Sequence, residues 1–157
     1  MLEQCLGSVG ERIRALGLHP RLSSPTVEDA WSENGEAPDY RVRPLDGRLA
    51  RIFGLDRDRV GAREWLAIAE AFLAPIFVLA EPYPDVLPTL RALRERGLRL
   101  AVISNTPWGS PAEPWHREVE RHEIAALCDY VGFCVECGWR KPARQPFERA
   151  MQALCVE

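Results

Sequence analysis

Two short segments of the chain carry side chains that can handle a phosphoryl group. The first, residues 98–106, is an apolar run that ends in the hydroxyl of Ser104 and continues to Asn105. The second, residues 138–142, places Lys141 just beyond another apolar run. A hydroxyl can donate to a phosphoryl oxygen, and an ammonium can balance phosphoryl charge. This pattern predicts half of a phosphate-handling catalytic site, formed where two strands end.

These segments resemble the haloacid dehalogenase superfamily of hydrolases, most of which are phosphatases. Residues 101–106, Ala-Val-Ile-Ser-Asn-Thr, are similar to the second motif of the family, and residues 138–150 resemble its third motif. The resemblance extends over residues 81–154. It implies that Ser104 binds phosphate, that Lys141 neutralises charge, and that the full-length family enzyme uses Mg²⁺.

The two carboxylate clusters of that family have no counterpart in these 157 residues. The first motif, Asp-x-Asp after an apolar strand, would supply the nucleophile of an aspartyl-phosphate route. No such strand precedes Glu81, and the acidic fourth motif would follow residue 157. We therefore expect a truncated fragment, equivalent to the middle of such an enzyme.

Hydrophobic periodicity divides the chain near residue 81. Before this point apolar residues recur every three or four positions, which predicts amphipathic helices. Beyond it, helices alternate with two apolar strands. The predicted helices are 1–18, 27–32, 46–55, 61–79, 85–96, 114–122 and 142–154, and the predicted strands are 98–104 and 130–135. The expected fold is α/β and mostly helical, with a cap-like helical region at 1–80 and an incomplete Rossmann-like core with two strands at 81–157.

Composition narrows the class of protein. A hydrophobic content of 46% with 27% charged residues is typical of a globular chain rather than a disordered one. The net charge of −3 argues against nucleic acid as a partner. No apolar stretch is long enough for a membrane span, and no signal peptide begins at Met1. Five irregularly spaced cysteines do not form a disulfide pattern, so we expect a reducing, cytoplasmic location.

The first-motif strand of the family lies beside the second-motif strand, so its absence would leave a sheet edge with unpaired backbone groups. Such an edge is prone to pairing with another chain. A second copy of the chain is the simplest cover, through an isologous contact. The sequence therefore predicts a homodimer that forms through the exposed sheet edge.

Three tryptophans lie near the predicted phosphate site and could bind substrate. Trp108 and Trp115 flank the loop after Ser104, and Trp139 lies beside Lys141. They could line a pocket for an apolar or aromatic ester group. The alternative interpretation is that they pack against the cap-like region.

A group of soft ligands could hold a metal ion. Cys134 and Cys137 have the C-x-x-C spacing of half a zinc site, and Cys128, His116 and His122 lie upstream. Against this hypothesis, side chains three apart at a strand end point to opposite faces, and a buried cysteine is usually an apolar filler. Ligands from two chains of a dimer would relax that geometric restriction.

Three functions remain open on the sequence. The first is a phosphoester hydrolase that acts on mono-, di- or triesters through hydroxide bound to Zn²⁺ or Mn²⁺, which lowers the pKa of water to about 7. The second is a catalytically inactive remnant that serves as a dimeric binding or structural module. The third is an incomplete reading frame of an ordinary Mg²⁺ phosphatase.

Overall fold

Helices account for most of the chain in the computed structural model, which describes residues 1–156. The chain forms two compact units. One consists of Met1–Glu36 with Arg43–Ala80, and the other of Ala37–Val42 with the chain from Glu81 onwards. Residues 37–42, which sequence reasoning placed in the helical region, therefore belong to the second unit.

The first unit consists of helices. They are α1 (Leu2–Ala15), α2 (Val27–Trp31), α3 (Leu45–Phe53) and α4 (Ala62–Leu79), with a 3₁₀ turn at Arg57–Arg59. In α1 the buried residues Leu6, Val9 and Ile13 recur at helical spacing, and this stripe faces α4. Helix α3 ends at Gly54, whose φ of 61° is a left-handed conformation that glycine adopts without a steric cost. Among the described residues, no helix is both long and apolar enough to cross a membrane.

One arginine of α3 is buried although its side chain is charged. Arg48 is fully buried and forms an ion pair with Glu36 at 2.8 Å. Its guanidinium also donates to the main-chain oxygens of Arg43, at 3.2 Å, and of Glu33. A buried charge is tolerated only when it is paired and hydrogen bonded. Arg48 thus ties the loop before α3 to the helix.

The second unit has an α/β fold, as the sequence predicts. Its elements are α5 (Val86–Glu95), β1 (Ala101–Ser104), α6 (Ala112–Arg121), β2 (Tyr130–Phe133), α7 (Cys134–Cys137) and α8 (Gln145–Ala153). The two strands pair in parallel, with Ala101 opposite Tyr130 and Ser104 opposite Phe133. Their carboxyl ends therefore meet at one edge of the sheet, as the phosphate-site prediction requires.

Both strands are shorter than predicted. β1 begins at Ala101 instead of Leu98, and β2 ends at Phe133. Residues 134–137 turn into a helix because the Glu136 carboxylate accepts the main-chain N–H of Phe133 at 2.7 Å, which caps the turn. The two cysteines of the C-x-x-C segment therefore lie on one helical turn, so the strand-alternation objection to their pairing is wrong.

The start of the sheet is aligned by a carboxylate. Asp129 accepts the main-chain N–H of Leu100 at 2.8 Å and pairs with Arg94 at 3.1 Å. These contacts, the Leu100 N–H foremost, hold the pKa of Asp129 below its ordinary value. Within β2, the ring of Tyr130 lies across Gly132, and a Cβ on that glycine would come within 2.2 Å of the Tyr130 hydroxyl oxygen.

Candidate functional site

The carboxyl ends of the two strands are joined through one side-chain amide. Asn105 Nδ2 donates to the main-chain oxygen of Lys141 at 3.2 Å, and the Lys141 N–H donates to Asn105 Oδ1 at 2.8 Å. The peptide bond between Lys141 and Pro142 is cis. Residues 36 positions apart are thereby held side by side, so the structure brings together Ser104, Asn105 and Lys141, as the sequence predicts.

The Lys141 ammonium reaches back along β1. Nζ donates to the main-chain oxygen of Ile103 at 2.6 Å, and the side chain is partly buried. The Leu100 oxygen accepts from Tyr130 at the β2 side, so the backbone groups of Ile103, three residues on, point away from β2. The ammonium therefore lies on the side of β1 that β2 does not occupy.

Lys141 is the single lysine among the 20 basic residues of the chain. An ammonium is a compact point charge on a flexible stem, whereas a guanidinium is a wide planar fork. Ser104 is half-buried, and its hydroxyl donates to the main-chain oxygen of Asn105 at 3.2 Å. A hydroxyl can rotate to another acceptor, so a phosphoryl oxygen could replace this local bond.

The loop after β1 is fixed by two residues that sequence reasoning missed. Thr106 is buried; its hydroxyl donates to the Ser110 main-chain oxygen at 2.9 Å, and its N–H donates to Cys134 Sγ at 3.3 Å. Ser110 is also buried, and its hydroxyl accepts the indole N–H of Trp115 at 3.0 Å. The run of Asn, Thr, Pro, Gly and Ser after β1 was the available signal, because these residues stabilise turns through their own side chains.

The three tryptophans have different surroundings. Trp115 is held by Ser110, and its ring lies 6.4 Å from that of Phe133. The Trp139 ring is covered by the guanidinium of Arg41, with 4.4 Å from Cζ to the ring centroid. Trp108 has a φ of 54°, an unusual value for a residue with a side chain, and it is half-buried in the loop that follows Asn105. Trp115 and Trp139 therefore have contacts within the second unit, and substrate binding by the three tryptophans stays a prediction.

The cysteine thiols of the proposed metal ligands are engaged separately. Cys134 is buried and accepts from the Thr106 N–H, while Cys137 Sγ donates to the main-chain oxygens of Cys134 and Trp139, both at 3.4 Å. Burial raises the pKa of the Cys128 thiol, which disfavours the thiolate that metals bind. The C-x-x-C spacing is therefore not accompanied by a shared thiolate pocket.

The two histidines of the proposed set also have separate partners. His116 Nε2 lies 3.2 Å from Glu136 and its ring contacts Phe133 edge-on, whereas His122 Nε2 lies 3.6 Å from Glu118. Across residues 1–156, no group of three or more His, Cys, Asp or Glu side chains could hold a metal ion. The Zn²⁺ or Mn²⁺ site predicted from the sequence has no assembled ligand set in that range.

The Mg²⁺ ion that family enzymes generally use also finds no suitable group there. Mg²⁺ prefers carboxylate, carbonyl and water oxygens in octahedral geometry. Within residues 1–156, no three His, Cys, Asp or Glu side chains are grouped so that they could supply such ligands. These residues therefore do not fit the ion on their own.

A cleft of about 830 Å³ in the first unit is lined by several arginines. Three of them are already neutralised by carboxylates at 2.6 to 3.1 Å: Arg51 by Glu33, Arg57 by Asp46 and Arg59 by Asp56. Three of the four arginines that line the cleft therefore have a carboxylate partner, which reduces its positive charge.

The parallel strands end side by side, and Lys141 is bonded to Asn105 and Ile103 beside the Ser104 end of β1, which is the arrangement that the resemblance implies. The model of the haloacid dehalogenase-like hydrolase family matches residues 19–157, and the chain belongs to this family. The resemblance seen in the sequence is thus confirmed, and the match extends well before residue 81.

Two curated relatives are similar to the chain over different lengths. The glyceraldehyde 3-phosphate phosphatase of Methanopyrus kandleri is 32% identical over 152 residues, which cover 92% of this chain and 60% of that protein. The glyceraldehyde 3-phosphate phosphatase of Methanothermobacter thermautotrophicus is 35% identical over 78 residues, covering 50% of this chain and 33% of that protein. The chain thus spans about 60% of the first relative and a third of the second.

Proposed function

We propose that the chain supplies the phosphate-binding part of a phosphatase that acts on small phosphomonoesters. The observation that carries this proposal is the placement of the Lys141 ammonium and the Ser104 hydroxyl at the shared carboxyl edge of two parallel strands. Membership of a hydrolase family and the phosphatase names of two relatives support it. Those names make a phosphorylated triose the first substrate to test.

Each residue of this site has a distinct role in the proposal. Ser104 donates a hydrogen bond to a phosphoryl oxygen, and Lys141 stabilises the negative charge on the phosphoryl group. Asn105 positions Lys141 by bonding both of its main-chain groups. Trp108 borders the leaving group, because it lies in the loop directly after Asn105.

The charge of the site favours monoesters over the di- and triesters that the sequence also left open. A phosphomonoester carries up to two negative charges near neutral pH, whereas a triester carries none. A full ammonium beside a hydroxyl donor stabilises a charged phosphoryl group far more than a neutral one. Among the possible substrates, we therefore rank phosphomonoesters first and phosphotriesters last.

Turnover by the route of the family requires a carboxylate nucleophile next to the phosphoryl group. No carboxylate of residues 1–156 is paired with Lys141, so we propose that these residues bind phosphate and that a carboxylate beside the open side of β1 would complete the site. The ammonium already lies on that side of the strand, within reach of such a group.

Titration with inorganic phosphate and with orthovanadate, followed by calorimetry, tests the proposal. Lys141→Met removes one charge-assisted hydrogen bond, worth about 1.5–3 kcal/mol, so binding should weaken about 10- to 100-fold. Ser104→Ala should weaken it by a smaller factor. Arg117→Ala, which breaks an exposed ion pair with Glu113 on α6, serves as a matched loss of positive charge and should bind like the wild type.

Two results would contradict the proposal. One is that the wild-type chain binds neither anion at millimolar concentration. The other is that Lys141→Met and Arg117→Ala weaken binding by the same small factor, which would indicate non-specific attraction.

We also propose that β1 pairs with a second copy of the chain, which would make a homodimer. Support comes from Ala101, which is exposed and whose backbone groups point away from β2, whereas the Ile103 oxygen on the same side already accepts from Lys141 Nζ. Ala101→Pro deletes an N–H only on the open side and should abolish the dimer. A sedimentation equilibrium experiment that finds the wild type monomeric at micromolar concentration would exclude this arrangement.

The five cysteines are consistent with the proposed cytoplasmic location. All five are free thiols. Reduced thiols persist in a reducing compartment, where disulfides are rare.

A further inference from the structure

The loop that carries Lys141 is bonded on one side by a short segment from far upstream in the chain. Val42 N–H donates to the Gly138 main-chain oxygen at 3.0 Å, and the Arg140 N–H donates to the Tyr40 oxygen at 2.8 Å. These bonds form an antiparallel bridge in which Arg41 lies opposite Trp139. Residues 40–42, named the bridging segment, therefore pair with the loop that carries Lys141 through one short antiparallel contact.

Side chains reinforce the same bridge. The Arg41 guanidinium stacks over the Trp139 ring at 4.4 Å, and Asp39 lies 3.5 Å from the same guanidinium. In the opposite direction, the Arg140 guanidinium donates to the Ala37 main-chain oxygen at 3.4 Å. The bridging segment and the Lys141 loop therefore contribute one arginine each, Arg41 and Arg140, to this contact.

The bridge lies immediately before Lys141 in the chain. Gly138, with a φ of 78°, follows the last residue of α7, and only two residues separate it from Lys141. The next main-chain groups, the N–H and oxygen of Lys141, are held by Asn105. The backbone from Gly138 to Lys141 is thus anchored from two directions, by the bridging segment and by the end of β1.

The position of the ammonium depends on this backbone. The Lys141 side chain is long and flexible, and Nζ donates to a single main-chain oxygen, that of Ile103. A shift of the loop moves the origin of the side chain and lengthens that contact. Misplacement of a binding group by about 1 Å is enough to cost a large part of its effect.

We propose that residues 40–42 are a positioning element for Lys141, which sets its ammonium for phosphoryl binding without touching the phosphate. This proposal rests on the proposed function for its consequence, but not for its geometry. Arg41 acts through its stacking on Trp139, and Val42 through its N–H bond to Gly138. Neither residue is placed in the phosphate site itself.

Lysine-selective ¹³C and ¹⁵N labelling provides a site-specific test, because Lys141 is the one lysine in the chain. The labelled protein gives one side-chain Cε signal and one lysine amide signal. Both can be recorded in the free protein and during titration with inorganic phosphate. The variants are Arg41→Ala and Val42→Pro, with Arg117→Ala, at an exposed position of α6, as the control for the loss of one positive charge.

Both variants should shift or broaden the Lys141 signals in the free protein, and the control should leave them in place. Arg41→Ala removes an exposed cation–π contact, so phosphate affinity should fall about two- to fivefold. Val42→Pro also removes a hydrogen bond and should lower the affinity at least as much. Circular dichroism checks that each variant is folded, and Arg41→Ala decides the outcome if Val42→Pro is not.

The two proposals fail in different ways. If the wild-type chain does not bind phosphate, the proposed function is wrong. The Lys141 signals of the free variants still test whether the bridging segment positions the Lys141 loop. If phosphate binds but Arg41→Ala leaves both the Lys141 signals and the affinity equal to those of Arg117→Ala, the positioning role is overturned. Altered signals with an unaltered affinity would overturn it as well.

Discussion

Replacing Asn105 with alanine should both loosen the Lys141 loop and destabilise the second unit. The change deletes two hydrogen bonds, of 3.2 and 2.8 Å, to the main chain of Lys141. Hydrogen bonds of this kind contribute about 0.5–1.5 kcal/mol each, and those of an exposed residue fall in the lower part of that range. The expected loss in the free energy of unfolding is therefore about 1–2 kcal/mol.

Urea unfolding followed by far-ultraviolet circular dichroism measures this loss. For a chain of this size the same free energy corresponds to a fall in Tm of about 2–4 °C per kcal/mol. Gln152→Ala, a similar truncation of an exposed amide side chain on α8, should stay within about 0.5 kcal/mol of the wild type.

The Lys141 amide offers a second and more local measurement. Its N–H loses the Asn105 acceptor in the variant, so its hydrogen exchange should accelerate relative to that of the wild type. Ser104→Ala should leave the exchange nearly unchanged, because the Ser104 hydroxyl bonds only to the Asn105 oxygen. If Asn105→Ala were as stable as Gln152→Ala and exchanged at the wild-type rate, the amide would not be holding the loop, and our account of the site would be refuted.

Two further predictions concern the fold. Asp129→Asn should destabilise the protein at neutral pH, because the lowered pKa of Asp129 means that folding stabilises its ionised form. This stabilisation is present above about pH 3.8 and is lost as the pH falls through the lowered pKa. The urea midpoints of the variant and the wild type should therefore converge in acid. A constant difference across that range would show that the charge is not involved. Leu49→Ala removes a fully buried side chain of α3 and should cost about 2–5 kcal/mol, whereas Leu22→Ala, at a residue that is 41% exposed, should cost much less; equal thermal shifts would contradict the assigned core.

The proximity of Ser104 and Lys141 could be predicted from the sequence because both residues follow apolar runs. Ser104 and Lys141 come at or just after the ends of two strands, and parallel pairing brings such ends together. The roles of Thr106 and Ser110 were not predicted. Their hydrogen bonds depend on the folded loop, and turn-forming residues show only that a loop exists.

Other features were missed because they depend on contacts that no periodic pattern records. The helical turn at 134–137 is capped by Glu136, whereas the apolar run predicts that residues 134 and 135 continue the strand. The bridging segment pairs with residues about a hundred positions away, so nothing in its own sequence assigns it to the second unit. The burial of Arg48 depends in the same way on its partners in the loop before α3, which the sequence of the helix does not reveal.

The contact between Tyr130 and Gly132 has a consequence for how this strand can vary among relatives. A side chain at position 132 and the present orientation of the tyrosine ring are mutually exclusive, since the ring occupies the space that a Cβ would need. Any natural or laboratory drift away from glycine at 132 must therefore come with a smaller or differently turned residue at 130. A library randomised at both positions should therefore return more substitutions at 132 than a library randomised at 132 alone.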